Sequence, residues 1–154
     1  MEMLIEEIMT TNVLSVTPED YVKKAASLIC LKKISGIPVV AENKQLIGML
    51  SEKDILRAIF PTYEEFFNDP SDFKIFDDLI RRYDSTTQLK VKDVFNKNVI
   101  TVNPKTPLLK ALSLMLSKRI RRLPVVDESG KLIGIVSQGD IHQALFNQEF
   151  LINK

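Results

Sequence analysis

Gly48-Met49-Leu50-Ser51-Glu52-Lys53-Asp54-Ile55 and Gly134-Ile135-Val136-Ser137-Gln138-Gly139-Asp140-Ile141 are two copies of one stretch. In each, an apolar run of strand character meets a serine able to begin a helix, and an aspartate follows three positions later. A helix N-terminus carries unpaired backbone N–H groups and the positive end of the macrodipole, so a site facing it suits an anion. The neighbouring carboxylate can accept hydrogen bonds from hydroxyls. The same Ser-x-x-Asp spacing is also a capping box, which needs nothing beyond the helix itself.

Working outward, residues 5–60 superpose on residues 91–146 at a constant offset of 86 without gaps, and from Val13 to Phe60, 21 of 48 positions are identical. That is an internal duplication, and repeats of this length stack to share a core. In the first copy Val13–Val16 reads as a short strand. Thr17-Pro18-Glu19-Asp20 reads as a helix start with Thr17 as N-cap and Pro18 in the first helical position. Val22, Ala25, Ala26, Ile29, Cys30 and Lys33 follow at spacings of three and four and mark one buried face. Ile37–Val40, with Pro38 near its beginning, and Leu46–Leu50 predict a hairpin, and Ser51–Phe60 a second helix with Ile55, Ala58 and Ile59 inward.

The second copy repeats the plan with strand Val99–Val102, a helix from Asn103-Pro104 to about Arg119, strands Leu123–Val126 and Leu132–Val136, and helix Ser137–Phe146. The fold class expected is α/β (α+β): two β-α-β-β-α repeats packed about a pseudo-twofold axis, with two equivalent clefts between them. The domains expected are repeat one over 1–60, a partly helical connector over 61–88, and repeat two over 89–154. Within the connector, Phe73, Phe76, Ile80 and Tyr83 share one helical face, so residues 72–83 are predicted to form an amphipathic helix packed on the body or on a partner subunit.

Composition narrows the function classes. Apolar residues at 45% and charged ones at 27% describe a globular chain. Lys plus Arg (21) balances Asp plus Glu (20), which argues against a nucleic-acid partner or an anionic membrane surface, so any anion site must be local. One cysteine and one histidine cannot assemble a structural zinc site or an internal disulfide. No apolar stretch reaches bilayer-spanning length and the N-terminus has no signal-peptide pattern, so a cytoplasmic protein is expected. No nucleophile triad, phosphate-cradling glycine loop or metal cluster appears, which predicts a non-enzymatic role.

Gly-Ile-Pro-Val-Val and Arg-Leu-Pro-Val-Val, each followed by Leu-Ile-Gly, two apolar residues and Ser-x-x-Asp-Ile, resemble a tandem pair of cystathionine β-synthase (CBS) domains, the arrangement called a Bateman module. The resemblance covers nearly the whole chain except the connector. It implies a regulatory module for adenine nucleotides (AMP, ADP or ATP), with S-adenosylmethionine as a further ligand of the family, and no required cofactor. Carried over position by position, it gives a first cleft in which Thr17, Val22, Ile34, Ser35 and Gly36 line the base. There Ser137 lies near phosphate or ribose, Asp140 meets the ribose hydroxyls, and Arg121 and Arg122 hold phosphate. A second cleft sets Asn103, Leu108 and Ile120, with backbone near Arg121 and Arg122, against Ser51 and Asp54. Where the first cleft has its arginine pair the second has Ser35 and Gly36, so weaker phosphate binding is expected there.

Each of these readings has a plainer rival. Lys118-Arg119-Ile120-Arg121-Arg122 is the densest basic run, and such runs are commonly solvated. Its place before the repeated Pro-Val-Val strand favours phosphate for Arg121 and Arg122, whose planar forks donate paired hydrogen bonds. Gly139, in the first turn of a helix, is read as room for a ligand. Cys30 is read as core packing and His142 as a surface or interface residue. A homodimer is expected, with Leu56, Ile59, Phe60, Leu145 and Phe146 as candidate surface; the regulated protein is unnamed by the sequence. The alternative function is a ligand-free dimerisation or docking scaffold.

Overall fold

The computed structural model describes residues 2–59 and 74–152. The elements in chain order are α1 (Val22–Lys32), β1 (Gly36–Val40), β2 (Leu46–Ser51), α2 (Glu52–Ile59), α3 (Lys74–Thr87), α4 (Leu108–Lys118), β3 (Arg122–Val126), β4 (Leu132–Ser137) and α5 (Gln138–Phe146). A π-helical turn, Asn147–Ile152, follows α5, and short 3-10 turns stand at Ile5–Glu7, Glu42–Lys44 and Val91–Asp93. β1 pairs with β2, and β3 pairs antiparallel with β4. Four elements of the first copy begin 86 residues before their partners in the second, as the repeat requires.

The chain forms two compact units. One contains residues 15–39 and 47–97, the other 1–14, 40–46 and 98–154. The first is centred on Val16, Val22, Ala25, Ile29, Ile37, Val39, Leu50, Ile55 and Val91, the second on Ile5, Val102, Leu108, Ala111, Met115, Leu123, Val125, Val136 and Ile141. Packing units and sequence repeats therefore differ at their heads. Ile5 is buried with the second copy and Val91 with the first.

Both copies start their first helix later than expected. Thr17 donates its N–H to Asp20 Oδ2 at 2.8 Å and its carbonyl accepts from the Asp20 N–H at 3.1 Å, closing a separate turn that contains Pro18. Asn103 does the same with Thr106, at 3.1 Å to Oγ1 and 3.0 Å from the Thr106 N–H. The helices then begin at Val22 and Leu108, whose N–H groups find the carbonyls of Leu89 and Met3, both at 2.8 Å. The first donor of each helix, which has no partner within the helix, is thus satisfied by a distant part of the chain.

The expected strands Val13–Val16 and Val99–Val102 shrink to single parallel bridges, Val16 to Val39 and Val102 to Val125. Pro38 and Pro124 stand third in β1 and β3, one place further in than expected, with their carbonyls accepting from Val16 and Val102 at 3.0 and 3.1 Å. Gly48 and Gly134 are explained by close approach. A Cβ on Gly48 would lie 2.4 Å from the Asn96 carbonyl oxygen and from the Phe95 ring, and one on Gly134 2.6 Å from Met9 Sδ.

Helix α3 runs to Thr87 and belongs to the unit of the first copy. Tyr83 packs on that core, and burial pushes its phenol up from the ordinary value. Phe76 and Ile80, expected on the same buried face, are 68% and 55% exposed, while Phe73 and the connector phenylalanines before it lie outside the described residues. Two further side chains correct the sequence reading. Cys30 is exposed, because α1 turns Val22, Ala25, Ala26 and Ile29 inward and leaves position 30 off that face. Ala58 is exposed, whereas Ile59, only 4% exposed, lies inward as its helical spacing predicts and so leaves the candidate dimer surface. Leu56, Leu145 and Phe146 are exposed, and Phe60 lies outside the described residues.

Candidate functional site

Helix α1 ends with Lys33 in the left-handed region (φ 53, ψ 46) and α4 with Arg119 (φ 54, ψ 43). Their N–H groups cap the Ile29 and Met115 carbonyls, and the sharp turn delivers residues 34–36 and 120–122 to the heads of β1 and β3. Each segment then meets the end of the next strand. Glu52 donates its N–H to the Ser35 carbonyl at 2.9 Å, and Gln138 donates to the Arg121 carbonyl at 3.0 Å. Arg122 pairs with Ser137 in the β3–β4 register. Gly36, in the matching place, has Leu50 and Ser51 so near that an added Cβ would sit 3.3 Å from the Leu50 carbonyl oxygen.

The helix starts are built alike. Ser137 is the N-cap of α5 (φ −110, ψ 162); its Oγ accepts from the Asp140 N–H at 3.0 Å, while Asp140 Oδ2 accepts from the Ser137 N–H at 2.9 Å. Ser51 and Asp54 make the same reciprocal pair at 3.1 and 2.9 Å. Both are capping boxes, so that reading of Ser-x-x-Asp holds. It does not exclude the other, because the box uses Oδ2 and leaves Oδ1 outside it. A Cβ on Gly139 would meet only Ser137 Oγ, at 3.6 Å, so no neighbour in the chain requires glycine there.

Within the unit of the second copy, then, Arg121, Arg122, Ser137 and Asp140 converge where β3 begins and β4 ends. Ion pairs among the described residues join Lys24 to Asp20, Lys90 and Lys92 to Glu19, and Lys105 to Glu6, so neither arginine is engaged in one. Arg121 is exposed and Arg122 half-buried. The unit of the first copy brings together Ser35, Gly36, Ser51 and Asp54, with no cation at the matching positions. Thr17 and Asn103 are exposed at the turns before α1 and α4. Ile34 and Ile120 are half-buried and pack against their own cores.

Val22 and Leu108 stand apart. At 0% and 2% exposure they are the first inward residues of α1 and α4, and they offer a ligand no surface in this structure. One neighbour of the site escaped the sequence reading. Gln138 Nε2 donates to the Ile120 carbonyl at 3.1 Å. Its counterpart Glu52 is a carboxylate and has no hydrogen to give to Ile34. Comparison of positions 52 and 138, the one exchange of amide for acid in the two boxes, was the available signal.

Two segments, 5–61 and 91–147, each match the family model described as CBS domain. The protein MJ1426 of Methanocaldococcus jannaschii is 34% identical over 155 residues, covering 93% of this chain and 91% of that protein. The chloroplastic CBS domain-containing protein CBSX2 of Arabidopsis thaliana is 33% identical over 84% of this chain and 57% of its own length. A crystal structure of CBSX2 in complex with AMP matches with a TM-score of 0.73 at 30% identity, covering 95% of this chain and 98% of that one. The inosine-5'-monophosphate dehydrogenase of M. jannaschii is 30% identical over 88% of this chain, which spans only 22% of the enzyme. Thus the chain spans most of one relative and much smaller shares of the other two.

Proposed function

The chain belongs to the CBS domain family, and from that premise we propose that it is a non-enzymatic regulatory module that binds an adenine nucleotide, AMP, ADP or ATP. The observation that carries the reading is the meeting of Arg121 and Arg122 with the Ser137–Asp140 helix start. An arginine fork and the positive end of the α5 macrodipole suit phosphate, and the Asp140 carboxylate suits a ribose diol. Open space at Gly139 supports the same assignment. Thr17, Ile34, Ser35 and Gly36 are the base contacts that the family resemblance supplies. Ser51 and Asp54, which have no arginine pair beside them, suit a weaker or less charged ligand, and Asn103 and Ile120 are further contacts that the family resemblance supplies.

The AMP held by CBSX2, at 30% identity, supports this class of ligand for the present chain. Homodimerisation is part of the proposal, with exposed Leu56, Leu145 and Phe146 as its surface, and light scattering measures it.

Calorimetry with AMP, ADP, ATP and S-adenosylmethionine tests the reading. At least one adenine nucleotide should bind, and Asp140→Ala should remove most of its affinity. Absence of binding by all of them at high micromolar concentration overturns the proposal in favour of a ligand-free scaffold. A thermal-shift series checks the same point, since a ligand at 100 times its Kd adds about 2.7 kcal/mol to the folded state.

A further inference from the structure

The heads of the two repeats are exchanged: Ile5–Glu7 is built into the unit of the second copy and Val91–Asp93 into that of the first. The backbone docks identically in both places. Ile5 and Glu6 donate to the carbonyls of Thr106 and Pro104 at 2.9 and 3.0 Å, and Val91 and Lys92 donate to those of Asp20 and Pro18 at 2.8 and 3.0 Å. Ile5 and Val91 are both fully buried. Main-chain bonds and aliphatic anchors therefore hardly distinguish one docking place from the other.

The charges do distinguish them. Lys105 Nζ lies 2.7 Å from Glu6 Oε1, whereas Glu19 receives Lys90 at 2.8 Å and Lys92 at 3.3 Å. Glu6 and Lys92 occupy matching positions in the two heads, Glu19 and Lys105 matching positions in the two turns, and the sign is reversed at both. Docked on its own copy, a head would bring Glu6 to Glu19, or Lys92 to Lys105.

We propose that this reversal is an address. Each turn, 17–20 or 103–106, is a docking surface for a short 3-10 turn of opposite charge, and its occupant is the head of the other repeat. Single exposed ion pairs contribute little. Discrimination here combines the attraction gained at the right turn with the repulsion met at the wrong one, which is how charge patterns select among similar partners. The same Lys90 and Lys92 ammonium groups hold the Glu19 carboxyl below its ordinary range.

The test is amide hydrogen exchange on the full chain, at low salt and in 1 M NaCl, read at Ile5, Glu6, Val91 and Lys92. Glu19→Lys should speed exchange at Val91 and Lys92 about tenfold at low salt. Adding Lys90→Glu and Lys92→Glu to it should restore protection to within about threefold, and 1 M NaCl should shrink the difference. Exchanging the signs of the turns, Glu19→Lys with Lys105→Glu, should loosen both heads together. If Glu19→Lys does not fold, Lys90→Ala/Lys92→Ala removes the attraction alone and should speed exchange about threefold. Unchanged rates in that variant, or a triple reversal no better protected than Glu19→Lys alone, overturn the proposal.

Discussion

The two helix starts have one backbone and two chemistries. In each, a serine caps the helix, an aspartate caps the serine, and the first helical N–H reaches back to a carbonyl before the neighbouring strand. In the second copy that carbonyl belongs to Arg121 and the next residue is Arg122; in the first copy they are Ser35 and Gly36. Duplication preserved the scaffold, because capping and strand pairing constrain the main chain. The side chains at the strand head differ: the second copy has an exposed and a half-buried arginine where the first has Ser35 and a buried Gly36.

The largest effect should come from removing that difference. Arg121→Ala/Arg122→Ala should lower affinity for a phosphorylated nucleoside about 100-fold or more, since each charge-assisted hydrogen bond contributes roughly 1.5–3 kcal/mol. Titration calorimetry would read it, and an unchanged Kd would remove phosphate from the arginines' role. Gly48→Ala and Gly134→Ala compare the copies in stability. Gly48→Ala drives a Cβ into a backbone carbonyl and should cost about 3 kcal/mol, whereas Gly134→Ala meets the flexible end of Met9 and should cost about 1 kcal/mol. Denaturant unfolding with equal slopes would separate them.

Smaller still, Ser51→Ala and Ser137→Ala should each cost about 1 kcal/mol by unfolding, the ordinary worth of an N-cap. A clear excess in either would mean that its serine does more than cap. The smallest contrast is in acid. Asp20, held low chiefly by the Thr17 N–H and then by Lys24, has Thr106 as its non-titrating counterpart. A carboxylate with a lowered folded pKa stabilises fully above its unfolded value and loses that contribution as pH falls through the folded one. Below about pH 4 the turn at 17–20 should therefore loosen before the turn at 103–106, as amide exchange at Thr17 and Asn103 would show.

Much of this was legible from residue order. The offset of 86 located both copies of α1, α2 and the hairpins, and Ser-x-x-Asp located both helix starts. The arginine pair was visible as the densest basic run beside a repeated strand. Other features were not legible. Cys30 lies at a spacing that looks apolar-faced, yet it falls beyond the edge of the buried stripe, which only the packing of α1 defines. Val22 and Leu108 looked equally suited to lining a base and to filling a core, and a hydrophobic side chain carries no mark that separates these fates. Gln138 acquires its partner at Ile120 only when β3 and β4 pair.

By itself, then, the order of residues determined that there are two like repeats, which helices and hairpins each contains, and which copy carries the arginine pair. These follow from local periodicity, capping chemistry and repetition. Tertiary structure alone decided where α1 and α4 begin and which head fills which core. Those choices turn on backbone N–H groups of Val22 and Leu108 finding carbonyls at Leu89 and Met3, and on charges at Glu6, Glu19, Lys92 and Lys105 meeting across long stretches of chain, contacts for which no local pattern exists.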